Sequence, residues 1–70
     1  MKINIKELES LIKNDFQGNY KLFANEISVN STTVYRILTG RANPGEKFIS
    51  KFMLLCKDRQ YNFEKYIFLN

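Results

Sequence analysis

Between Ile27 and Pro44 the chain holds no aspartate or glutamate, and inside that stretch lie Ser31, Thr32, Tyr35 and Arg36. At helical spacing these four share one outward side. Their side chains can hydrogen-bond or pack against the edges of nucleic-acid bases. A solvated face of no consequence would normally mix acids with its bases, whereas a surface that meets an anion avoids them. Other chemistries lack their groups. There is no histidine, and the single cysteine, Cys56, sits among Met53, Leu54 and Leu55. It reads as a small buried hydrophobe, not a nucleophile. One thiol without an imidazole makes neither a disulfide nor a tetrahedral zinc site. Glu7 and Glu9, two apart on a helix, diverge and form no acid–base pair. No glycine-rich loop stands ready to cradle a phosphate. An enzyme is not expected, nor a cofactor, a metal or a small-molecule ligand.

The charge is distributed to match. Eleven basic residues against seven acidic ones leave +4. In residues 1–20, Lys2, Lys6 and Lys13 cancel Glu7, Glu9 and Asp15. In residues 21–51, Lys21, Arg36, Arg41, Lys47 and Lys51 outweigh Glu26 and Glu46 by three. In residues 52–70, Lys57, Arg59 and Lys65 exceed Asp58 and Glu64 by one. An anionic partner would be met in the middle of the chain. No segment is long and apolar enough to span a membrane. The start, Met1-Lys2-Ile3-Asn4-Ile5-Lys6, has no apolar run behind its lysines, so it does not read as a signal peptide. A cytoplasmic location is expected.

Those residues must be held by helices. Seventy residues make one domain, too short for a large core and dependent on helix packing, with or without a second subunit. Glycine and proline punctuate the chain at Gly18, Gly40, Pro44 and Gly45, and apolar residues between them fall at helical spacing. Asn4 caps a first helix over Ile5 to Asn14, with Leu8, Leu11 and Ile12 inward. Asn19 caps a second from Tyr20 to about Ile27, burying Phe23, Ala24 and Ile27. Ser28-Val29-Asn30 is a tight turn. Asn30 caps a third through Leu38, burying Val34, Ile37 and Leu38, and Gly40 closes it. Pro44 suits the first position of a fourth, to about Lys57, whose wide apolar stripe includes Met53 and Leu54. Asn62 caps a last helix, Phe63 to Leu69. The expected fold is all-α: a compact five-helix domain over residues 1–70.

The segment YKLFANEISVNSTTVYRILT, Tyr20 to Thr39, resembles the helix-turn-helix of the lambda-repressor-like (Cro/cI, Xre-type) family. The resemblance rests on Phe23-Ala24, Ile27, Val29, Val34 and Ile37, and continues into Gly40 and Pro44, a Gly-x-x-x-Pro loop feeding another helix. It covers roughly residues 5–57. Ala24 allows the two helices a close crossing. The turn needs a left-handed backbone, where the family typically has glycine; this chain has Ser28, at a cost of about 1 kcal/mol relative to glycine.

The resemblance implies sequence-specific double-stranded DNA binding, with the third helix in the major groove. Carried over, Ser31, Thr32 and Arg36 read bases, with Arg36 bidentate on guanine or else on a phosphate, and Tyr35 packs on sugar or a thymine methyl or else is a half-buried core ring. Phosphate contacts fall to Tyr20, Lys21, Asn30, Arg41, Asn43 and Lys47. It also implies a transcriptional regulator, above all a repressor, acting as a pair on a palindromic operator. The lysine-, asparagine- and isoleucine-rich composition is associated with a low-GC bacterium, a plasmid or a phage. Tyr61, Phe63, Tyr66, Ile67, Phe68 and Leu69 exceed what one short helix needs to bury. Phe63 and Ile67 are expected in the core, and Tyr66 or Phe68 in a homodimer contact. Two rivals stand beside this reading. One is a protein-binding module on the same frame, such as an antitoxin or a phage-encoded inhibitor; the other is a non-specific architectural DNA binder.

Overall fold

Four asparagines open the helical segments. In the computed structural model, which describes residues 2–68, the Oδ1 atoms of Asn4, Asn19, Asn30 and Asn62 accept from the backbone N–H groups of Glu7, Lys21, Thr32 and Glu64 at 3.4, 3.0, 2.8 and 3.2 Å. Each satisfies a donor that the first helical turn leaves free. The segments are α1 (Ile5–Asp15), α2 (Tyr20–Glu26), α3 (Ser31–Leu38) and, after a loop, α4 (Glu46–Arg59), then a 3-10 turn at Phe63–Tyr66. The protein is mostly helical. Among the described residues, no helix is long and apolar enough to cross a membrane.

The C-terminal segment departs from expectation. Instead of a fifth α-helix, the 3-10 turn runs into a strand, β2 (Ile67–Phe68). It pairs antiparallel with β1 (Lys2–Ile3), Lys2 opposite Phe68 and Ile3 opposite Ile67. The Asn4 N–H donates to the Tyr66 carbonyl at 2.7 Å, extending the clasp. Tyr66, expected in an interface, is buried instead; Ile67 is also buried, Phe63 half-buried, and Phe68 exposed. Leu69 lies outside the described residues. At α4, Gly45 is the cap residue and Pro44 precedes it, so Pro44 does not occupy the first helical position.

The core is an aromatic cluster centred on Phe52. Its ring lies 5.8 Å from Phe23, 6.1 Å from Phe48, 5.9 Å from Phe63 and 5.4 Å from Tyr66. Phe16 packs edge-on to Phe23 at 5.4 Å. Leu8, Leu11 and Ile12 of α1, Val34 and Ile37 of α3, and Leu55 and Cys56 of α4 fill the remainder. Such rings bury large apolar areas, and edge-on pairs add attraction beyond the area itself. Met53 and Leu54, counted in a wide apolar stripe from sequence, point outward, with Leu54 66% exposed. Burial pushes the Cys56 thiol up to about 11. At the periphery, the Arg59 guanidinium lies over the Phe16 ring and pairs with Glu26 at 3.0 Å. The Tyr61 hydroxyl donates to Asp15. These contacts join the ends of α1, α2 and α4.

Candidate nucleic-acid interface

The α2–α3 connection is built by backbone geometry. Ser28 takes φ +59°, so the left-handed position expected of the turn is occupied by serine. The Val29 N–H reaches back to the Ala24 carbonyl at 3.0 Å, and the Ser28 N–H to the Asn25 carbonyl at 3.2 Å. This paired closure consumes carbonyls that the end of α2 would otherwise leave bare. Asn30 then starts α3 two residues later. The end of α3 repeats the device. Gly40, at φ +76°, donates to Ile37 at 3.2 Å, and Arg41 to the Arg36 carbonyl at 2.8 Å. Ala24, Val34 and Ile37 are buried where α2 and α3 meet.

Burying Val34 and Ile37 decides what α3 presents to solvent. Thr32, Tyr35 and Arg36 are exposed, and Ser31 is half-buried at the helix start. Thr33 is exposed as well and lies three residues before Arg36. It was not among the candidates from sequence, although the same 100° wheel that selects Thr32 and Arg36 leaves it on the edge of their face. Thr39 turns its hydroxyl back on its own helix, donating to the Tyr35 carbonyl at 2.9 Å.

The phosphate-contact candidates lie at the start of α2, at the cap of α3, in the loop after it and on α4. Lys21, Asn30, Arg41, Asn43 and Lys47 are exposed, and Tyr20 is half-buried. Asn30 uses Oδ1 as the cap of α3, which leaves its amide N–H groups as the part able to donate outward. Ion pairs among the described residues join Arg59 to Glu26 and Lys65 to Glu7 at 3.5 Å. Within that set no carboxylate stands at salt-bridge distance from Lys21, Arg36, Arg41 or Lys47. Among the described residues, then, no carboxylate neutralises their charge.

Two features are absent from the sequence reading. Tyr20, at the start of α2, meets Tyr35 of α3 ring to ring, with centroids 5.8 Å apart and planes tilted by 41°. Tyr20 also borders a hollow lined by Lys6 and Lys13 of α1, with Gly18 and Leu38. Lys6 and Lys13 are seven apart, hence on one stripe of α1. Heptad spacing was the signal available for them; none announced the tyrosine pair, whose members are fifteen residues apart. Comparison of the chain with family models, curated proteins and solved structures gives no match.

Proposed function

We propose that this protein is a sequence-specific double-stranded DNA-binding protein of lambda-repressor-like helix-turn-helix design, which sets α3 in the major groove and regulates transcription. The observation that carries the reading is the outer side of α3. Thr32, Thr33, Tyr35 and Arg36 are solvent-accessible, no acid lies from Ile27 to Pro44, and the flanking cations are unpaired among the described residues. A short helix of hydrogen-bonding side chains fits the groove, and a rim of cations fits the phosphates beside it. On this reading Arg36, Thr32, Ser31 and Tyr35 face base edges, and Arg41, Asn43, Lys47, Lys21, Asn30 and Tyr20 face the backbone. Two copies on a palindromic operator of a bacterial, plasmid or phage operon complete the proposal, with Phe68, 49% exposed, as the candidate contact between them.

Selection of bound duplexes from a random-sequence pool tests it. The expected outcome is enrichment of one short motif, bound at least ~10³-fold more tightly than random duplex at the same salt. Equal affinity for all duplexes would indicate an architectural binder. Absence of any complex at low ionic strength would end the DNA reading and favour a protein-binding module.

A further inference from the structure

On the reading that α3 enters the major groove, we propose that Tyr35 recognises the 5-methyl group of a pyrimidine, and that Tyr20 is the positioning residue that holds its ring for that contact. Tyr35 is 43% exposed, yet one side of it is braced by the Tyr20 ring at 5.8 Å. Tyr20 in turn is half-buried at the start of α2 and lines the same hollow as Leu38. A tyrosine that only completed the core would be covered, as Tyr66 is. One that only kept the surface wet would have no reason to be braced. The Tyr20 ring limits the Tyr35 ring on one side, at the edge of the face formed by Thr32 and Arg36, so less rotamer freedom is left to lose on binding than for an unbraced ring.

The chemistry of the groove narrows what such a ring can meet. The base edges there carry hydrogen-bond donors and acceptors, and the one apolar group is the C5 methyl of thymine. Placing a ring against an amino group or a carbonyl would strip that group of water without replacing its partner. A methyl against the ring gains the burial instead, worth about fourfold in affinity for one carbon. Thymine and 5-methylcytosine offer this group alike. A Tyr20 hydroxyl on a phosphate and a Tyr20 ring against Tyr35 use different parts of the side chain, so the two roles are read separately.

The test uses the full chain and a duplex selected from random sequence, with each thymine replaced in turn by uracil, which deletes the methyl alone. At one position uracil is expected to weaken binding about fourfold, and the Tyr35→Ala variant to bind thymine and uracil duplexes equally. Replacing that T·A pair by 5-methylcytosine·G is expected to retain more affinity than cytosine·G. Tyr20→Phe keeps the ring and is expected to preserve the thymine–uracil difference, whereas Tyr20→Ala loses it. Circular dichroism checks that each variant folds; if Tyr20→Ala does not, Tyr20→Phe and the uracil series decide. No uracil-sensitive position, or a Tyr20→Phe variant that keeps the ring but loses the thymine–uracil difference, would overturn the proposal while leaving DNA binding intact. Failure of the wild type to bind any duplex would instead remove the premise.

Discussion

Arg36 and Arg41 carry the same charge and lie five residues apart, yet the structure gives them different surroundings. Arg36 stands on the exposed side of α3 with Thr32 one turn before it; Arg41 lies in the loop, its N–H fixed to the Arg36 carbonyl. A guanidinium facing a base edge discriminates, and one facing phosphate does not. Arg36→Ala is therefore expected to cost about 1–3 kcal/mol on the preferred sequence and to relax selection at one base pair. Arg41→Ala is expected to weaken all duplexes alike and to flatten the salt dependence by about one ion. Titrations of both variants against single-base variants at several salt concentrations check this; the same loss for Arg36→Ala on every duplex would make it a phosphate contact. At this scale much was readable in advance. All four capping asparagines and most buried positions of α1 to α3 follow from side-chain type and local spacing, although Leu38, expected inward, is only half-buried; the left-handed position at Ser28 was implied by the family resemblance. Leu54 did not, because an apolar residue on a four-turn helix announces hydrophobicity but not which neighbours arrive to cover it.

The left-handed residue between α2 and α3 is a stress point of the element pair. Serine at φ +59° has a Cβ crowded by its own backbone, a crowding glycine lacks. Glycine also enlarges the freedom of the unfolded chain, which offsets part of the gain. Ser28→Gly is expected to stabilise the protein by about 0.5–1 kcal/mol, a rise of roughly 4 °C in melting midpoint for a domain of this size. Ser28→Val, with a branched Cβ at the same angle, is expected to lower it. Thermal melts followed by circular dichroism decide; a fall with glycine would mean that the serine contributes something the backbone argument misses. The boundaries of α1 to α4 were readable to within about two residues, since caps and closing residues are local signals. The clasp of β1 with β2 was not. Its partners, Ile3 and Ile67, are 64 positions apart, and a two-residue strand has no period to detect. Tyr66-Ile67-Phe68 favours extended backbone, yet only the arrival of the N-terminal segment supplies its hydrogen bonds.

For the molecule as a whole, stability rests on one aromatic core with a thiol sealed into it, and this makes the fold sensitive to alkali in a defined order. Cys56 is held at about 11 by burial, above the ordinary value of 9.0. Between those values the unfolded chain has lost the proton and the native chain keeps it. The unfolded state then binds fewer protons, so stability falls as pH rises through this window and is unaffected below about 9. The Tyr66 phenol, raised chiefly by burial, acts with the same sign. So does Tyr61, raised first by burial and then by its hydrogen bond to Asp15. Both start from an ordinary value of 10.0, so their contribution enters later. Melting midpoints of the wild type are expected to hold steady to about pH 9 and then to drop. Those of Cys56→Ala start lower because of the lost volume, but stay flat until the phenols titrate above pH 10. Parallel curves for the two proteins between pH 9 and 10 would show that the thiol is not sealed from water. Slow alkylation of native Cys56 by iodoacetamide, accelerating only with denaturant, is the independent check, because the thiolate that reacts does not form in the core.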